Sequence, residues 1–138
     1  MKIRKATQKD KNYLKKQDDL KESMIKKKIK LEEYLVAEKE NKQIGFLRFG
    51  YFWSEVPIIE MVRINKNFQK QGIGQKLVEF LTNITKKSKQ KVILSLSTGN
   101  EKGPQTWHKK IGFKKIGQIK DSKLTKNIPE VFFIKKLK

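Results

Sequence analysis

The residues best suited to chemistry lie in one stretch, Gln69-Lys70-Gln71-Gly72-Ile73-Gly74-Gln75, and at two isolated positions, Glu60 and His108. Beyond the glycines, Ile73, Leu77, Phe80, Leu81 and Ile84 recur at helical spacing. That pattern predicts an amphipathic helix from Ile73 to about Lys87. Glycine carries no Cβ, so a ligand can come close to the backbone at Gly72 and Gly74. The amides of a helix's first turn have no intrahelical acceptor and stand at the positive end of the helix dipole. Such a turn suits an anion, phosphate above all. Glu60 is a lone charge in the apolar run Ile58-Ile59-Glu60-Met61-Val62, and His108 is the only histidine. A carboxylate and an imidazole are both able to move a proton near neutral pH.

Two nucleotide-binding patterns fail on spacing. A P-loop needs Lys-Ser/Thr after its last glycine, and Gln75-Lys76 follows Gly74 instead. A dinucleotide fingerprint needs a third glycine where Leu77 stands.

The elements that would position these groups follow from pattern. A short first strand is expected over Lys2 to Ala6. Thr7-Gln8-Lys9-Asp10 reads as a capping box opening a helix through Tyr13 and Leu14. Asp18 and Asp19 suit the start of a second helix, with Leu20, Met24 and Ile25 on one side and Lys26-Lys27-Lys28 at its end. Strands are expected at Glu33 to Lys39 and at Ile44 to Trp53. The second is apolar on both alternating faces, as in a strand covered on both sides. Ser54-Glu55-Val56-Pro57 reads as a connection, and Ile58 to Ile64 as the strand that leads into the glycine turn. Val92, Leu94 and Leu96, interleaved with Ser95 and Ser97, mark a further strand. A loop from Thr98 to Pro104, a short helix from Gln105 to Ile111 ended by Gly112, and strands near Lys114 to Lys120 and Val131 to Leu137 complete the chain. The order β-α-α-β-β-β-α-β-α-β-β predicts a mixed α/β fold with one sheet.

Length and composition set bounds. The 138 residues suit a single domain, 1–138. No run approaches the roughly 20 apolar residues of a membrane span, and no apolar stretch follows Met1-Lys2-Ile3-Arg4-Lys5, so neither a membrane nor a secretory signal is expected. Absence of cysteine excludes disulfides, cysteine metal sites and a thiol nucleophile. Cytoplasm is the default compartment. The net charge is +20, but only Arg4, Arg48 and Arg63 of the 34 basic residues are arginine. Arginine is the residue that forks onto phosphates and bases. Lysines spread over every segment read as solvated faces, which argues against a nucleic-acid partner. The positive field would still draw in a strongly anionic ligand.

Gln69-Lys70-Gln71-Gly72-Ile73-Gly74 resembles the Gln/Arg-x-x-Gly-x-Gly/Ala pattern of the GNAT superfamily of N-acetyltransferases. A second block, Trp107-His108-Lys109-Lys110-Ile111-Gly112-Phe113, is similar to that family's Tyr-x-Lys-x-Gly-Phe and follows one helix and one strand later, as in the family. The resemblance runs over nearly the whole chain, though its specific motifs occupy residues 58–74 and 100–113. It implies a central mixed, twisted sheet of about six or seven strands with helices on both faces. It also implies acetyl transfer from acetyl-CoA to a primary amine by direct attack in a ternary complex, with no metal. The cofactor would run along Val62, Arg63 and Ile64. Its pyrophosphate would be cupped by the amides of Gln71, Gly72, Ile73, Gly74 and Gln75, with Gln69 and Lys70 completing the loop and Asn100 contacting the cofactor. Glu60 falls where strands of this family often carry the general base, and Glu55 is the second choice. The family's tyrosine, which often protonates the leaving thiolate, is replaced by His108. The acid role then rests on the imidazolium, a stronger acid than tyrosine with its pKa near 10. The amine acceptor is not readable, and a homodimer is compatible with the family. A basic nucleic-acid or ribosome-associated module, or a CoA-binding protein without catalysis, is the alternative on the same fold.

Overall fold

Alternation, glycine turns and helical stripes divide the chain into eleven regular elements. The structure, a computed structural model, describes residues 1–99 and 102–138. In chain order they are β1 (Lys2–Lys5), α1 (Lys11–Gln17), α2 (Glu22–Lys30), β2 (Tyr34–Lys39), β3 (Lys42–Phe52), β4 (Val56–Ile64), α3 (Ile73–Lys87), β5 (Val92–Thr98), α4 (Lys102–Lys110), β6 (Lys114–Ile119) and β7 (Glu130–Lys136). The strands form one seven-stranded sheet in the order β1-β2-β3-β4-β5-β7-β6. It is mixed: β4 runs parallel to β5, whereas β1 with β2, β2 with β3, β5 with β7 and β6 with β7 are antiparallel. The element order and the sheet agree with the expectation from sequence. Internal contacts group the chain into two compact units, Met1–Phe49 with Val62–Leu81, and Gly50–Met61 with Thr82–Lys138.

In the first unit the Thr7–Asp10 turn forms as expected. The Thr7 amide donates to Asp10 Oδ2 at 2.8 Å, and the same buried carboxylate takes hydrogen bonds from Arg4 (2.7 Å) and from Gln43 Nε2 (3.0 Å). The second helix differs from expectation. Its N-cap is Lys21, not Asp18 or Asp19, and its buried stripe is Ile25, Lys28 and Ile29, with Met24 exposed. Asp18 is buried, and accepts hydrogen bonds from the Tyr34 hydroxyl on β2 and the Arg48 guanidinium on β3. A carboxylate out of water needs such partners, and that demand overrides a capping preference. β3 has Ile44 and Phe46 buried on one face and Leu47 and Phe49 on the other, as a central strand should. Gly45 permits a close approach: a Cβ there would lie 2.7 Å from Ile64 Cδ1 and 3.1 Å from the Arg63 carbonyl. Ile73, Leu77, Val78 and Leu81 form the buried stripe of α3, so the helix starts and ends where the periodicity predicts.

The second unit is built on β5. β7 lies antiparallel to it from Val92↔Lys136 to Thr98↔Glu130, and Ile59, Ile93, Phe113, Val131 and Phe133 are buried. Two boundaries differ from expectation. Val56 and Pro57 belong to β4 rather than to a connection, because the chain reverses earlier, at Trp53 and Ser54. The last helix begins at Lys102 rather than Gln105, with Pro104 inside its first turn, where a missing N–H costs nothing. Gly112, at φ 98°, ends it as expected.

Candidate active site

The glycine turn is held from below by an asparagine and a glutamine. Asn65, directly after β4, donates its backbone N–H to the Ile44 carbonyl (2.8 Å) and its side-chain amide to the Gln43 carbonyl (3.2 Å), and accepts from the Tyr13 hydroxyl (2.7 Å). Burial, the largest influence, pushes the Tyr13 hydroxyl up to about 12, so it stays a donor at any ordinary pH. A three-residue helical turn, Lys66–Phe68, comes next. Gln69 then folds back to donate Nε2 to the Ile64 carbonyl at 3.1 Å, and Gln71 Nε2 lies 3.5 Å from the Asn67 carbonyl. Two residues of the turn adopt left-handed backbone, Lys70 at φ 62° and Gly72 at φ 78°. The first hydrogen bond of α3 runs from the Lys76 amide to the Gly72 carbonyl at 3.1 Å. The amides of Ile73, Gly74 and Gln75 therefore precede the helical ladder. Gln69, Lys70, Gln71, Gly72 and Gln75 are exposed, while Ile73 and Gly74 are buried beneath them. Val62 and Ile64 are half-buried. Arg63 is exposed and spends its guanidinium on the carbonyl of Gln17 at the end of α1.

The turn leaves room at Gly72 for a bound group. A Cβ at Gly72 would meet nothing within 4 Å, so the turn opens outward and is not packed against its own protein. Within this turn it is Gly72 whose positive φ calls for glycine, at the mouth, where a side chain would intrude on a bound group.

In the second unit, Glu60 is half-buried on β4, directly after Ile58 and Ile59, which pair in parallel with Leu94 and Ser95 of β5.

His108 is buried rather than open to solvent. It is 4% exposed, its ring is stacked on Phe133 at 4.3 Å, and Trp107 and Phe113 meet it edge-on. Nδ1 lies 2.6 Å from the Pro104 carbonyl, which can only accept, so Nδ1 carries the hydrogen. Nε2 is then the acceptor for the Ser95 hydroxyl at 2.7 Å. Burial lowers the imidazole pKa, and the bond to Pro104 offsets only part of that. The neutral imidazole is thus favoured over the imidazolium on which the expected acid role relies. The tautomer leaves Nε2 without a proton to give.

Ser95 was legible in the sequence only as one of two serines alternating along an apolar strand. Its partner Ser97, two residues on and on the same face, is buried and has the one buried side-chain oxygen without a hydrogen-bond partner among the described residues. A hydroxyl of that kind costs about 1–3 kcal/mol until a ligand satisfies it. Asn100, expected to contact the cofactor, lies outside the described residues. Among the described residues no group of His, Cys, Asp and Glu could hold a metal ion, and no helix is long and apolar enough to cross a membrane.

The strands thus make a seven-stranded mixed sheet with a glycine turn leading into α3. Residues 30–115 match the family model of the acetyltransferase (GNAT) domain, and the chain belongs to the GNAT acetyltransferase family. No curated protein sequence matches it significantly. Three of the solved structures that share the fold illustrate the likeness. The ribosomal-protein-alanine N-acetyltransferase from Brucella melitensis is 20% identical, with 99% of this chain and 100% of that chain covered and a TM-score of 0.83. A GNAT-family acetyltransferase from Bacillus cereus is 17% identical, with 99% and 97% covered and a TM-score of 0.82. The acetyltransferase yncA from Salmonella typhimurium, solved with its cofactor acetyl-CoA, is 16% identical, with 100% and 94% covered and a TM-score of 0.79.

Proposed function

We propose that this chain moves the acetyl group of acetyl-CoA to a primary amine by direct attack. The observation that carries the reading is the open turn at Gly72 ahead of α3, with the uncommitted first-turn amides of Ile73, Gly74 and Gln75 behind it. These amides, with those of Gln71 and Gly72, hold the diphosphate of the donor. Lys70 and the overall positive charge favour its approach. Val62, Arg63 and Ile64 offer the backbone edge along which the donor's extended arm lies, and Gln69 braces the turn. Bound acetyl-CoA supplies the thioester.

The chain's own residues then handle protons and charge. An amine with a pKa near 10.4 arrives mostly as ammonium at pH 7, so it must lose a proton before it can attack. Glu60, next to the Ile59↔Ser95 pair of β4 and β5, takes that proton, directly or through one water. Glu55, in the β3–β4 turn, is the second candidate. Backbone N–H groups near Met61 to Arg63 stabilise the developing oxyanion. The departing thiolate needs little help, since thiols ionise near pH 8.5. His108 acts as a neutral imidazole that fixes the Ser95 hydroxyl and closes the aromatic floor under β5.

The test is release of free thiol from acetyl-CoA with a panel of primary amines. Amine-dependent release is expected. Release only by hydrolysis, at a rate no amine changes, would overturn the reading.

A further inference from the structure

The β3–β4 turn is built against conformational preference. Among the described residues, three turns place two successive non-glycine residues in left-handed backbone. Glu40-Asn41 has φ 52° and 65°, Lys126-Asn127 has 54° and 63°, and Trp53-Ser54 has 55° and 59°. The first two put Asn, which tolerates this region, at the second position. The third has Ser54 at the second position and, at the first, the bulkiest side chain available, where the others have Glu40 and Lys126; Trp53 is 81% exposed, so burial does not require it. The turn is closed by the Glu55 amide donating to the Phe52 carbonyl at 3.1 Å. Phe52 lies 4.7 Å from the Trp53 ring, and Tyr51 and Phe52 are exposed as well. A strained, exposed aromatic that folding does not need points to recognition.

Charge says what it recognises. In a chain of net charge +20, the residues from Phe49 to Val62 contain neither lysine nor arginine, the longest such stretch, and they carry Glu55 and Glu60. The tip therefore offers aromatic faces and the Glu55 carboxylate, with no lysine or arginine in its own segment. We propose that the hairpin tip, Trp53 on Phe52 with Glu55 beside it, is the recognition site for the acceptor, and that the acceptor is a cationic amine on an apolar stem without a carboxylate. A cation over an indole face gains about 0.5–2 kcal/mol, and Trp is the best of the aromatic faces. The inference rests on the reading of the chain as an amine acetyltransferase, and its experiment separates the two.

Three probes of equal length, cadaverine, aminopentanol and aminovalerate, differ only in bearing a cationic, neutral or anionic far end. Thiol release is measured with each. The expected order of kcat/KM is cadaverine, then aminopentanol, then aminovalerate, with the first falling as salt rises. The overall positive charge alone would favour aminovalerate, and that order would overturn the proposal. Trp53→Asn should raise KM for cadaverine several-fold at unchanged kcat and leave Tm the same or higher, because Asn suits the turn. A lower Tm with an unchanged KM would make Trp53 a structural residue and end the proposal. So would a dimer that Trp53→Asn converts to monomer, since a second copy would then be the occupant. In a Trp107→Phe background, Trp53 fluorescence reports binding without turnover. A response to cadaverine but not aminovalerate supports the site even where no thiol is released, an outcome that would sink the acetyltransferase reading alone. Amine-dependent turnover with an indifferent Trp53 would sink the site alone.

Discussion

At Gly72 the chain turns with φ 78°, and a Cβ added there would meet nothing within 4 Å; at Trp53 it turns with φ 55° and displays an indole that is 81% exposed. Both positions lie in left-handed backbone, and the residue chosen at each tells what the turn is for. Where the backbone itself is the binding surface, the side chain is removed. Where the side chain is the binding surface, the backbone accepts strain. The surroundings differ in the same sense. Lys66, Lys70 and Lys76 flank the glycine turn, whereas no basic residue occurs from Phe49 to Val62. One turn is suited to an anion and the other to a cation, which are the charges of the two substrates of an acetyl-CoA-dependent amine acetylation.

The sharpest break in that comparison is expected at Glu60, within the lysine-free stretch. Glu60→Gln should lower kcat by about 10²–10⁴, the usual worth of a placed base, and leave acetyl-CoA affinity unaltered. Single-turnover rates and their pH profile read this, and an unchanged profile would remove Glu60 from the mechanism. A smaller effect is expected on the glycine side. Gly72→Ala puts an L side chain at φ 78° in open space, so it should cost about 1 kcal/mol of stability through strain alone. It should weaken acetyl-CoA several-fold while leaving the amine KM in place. A variant that changed the amine KM instead would blur the division between the two turns.

The smallest effect concerns His108 and is one of pH. Burial depresses the folded imidazole pKa below its ordinary 6.5, so below pH 6.5 the unfolded chain binds the proton first. The stability this neutral ring contributes is present above 6.5 and is lost as pH falls from there through the folded value. His108→Phe keeps the ring stack on Phe133 and removes the titration. Its Tm should fall less than that of the wild type between neutral and mildly acidic pH, even though Ser95 loses an acceptor worth about 1 kcal/mol. Parallel Tm curves would show that His108 does not carry the acid sensitivity.

The elements were legible because their signals are local. The stripe of Ile73, Leu77 and Leu81 gave the third helix its true bounds, and two-sided apolarity placed β3 inside the sheet. The glycine pattern located the turn before α3 for the same reason, since a backbone requirement is written in the residue that meets it. What stayed hidden depends on partners distant in sequence. Asp18 reads as a cap until Tyr34 and Arg48 claim it. His108 reads as a proton donor until Phe133 and Ser95 enclose it. Trp53 reads as the end of a strand, and only its backbone angle and exposure show a turn that displays it. Burial and long-range pairing decide these roles, and neither is a periodicity.

The central claim is that first-turn amides of α3 hold the diphosphate of acetyl-CoA over Gly72. Gly72→Glu places a carboxylate where that diphosphate would lie, and a like charge about 4 Å away at the effective dielectric of a protein surface is worth several kcal/mol. Calorimetric titration of acetyl-CoA into the wild type and Gly72→Glu, with circular dichroism confirming an intact fold, tests this directly. The account predicts binding to the wild type that weakens with salt and at least ~100-fold weaker binding to the variant. Equal affinity in the two proteins would contradict it.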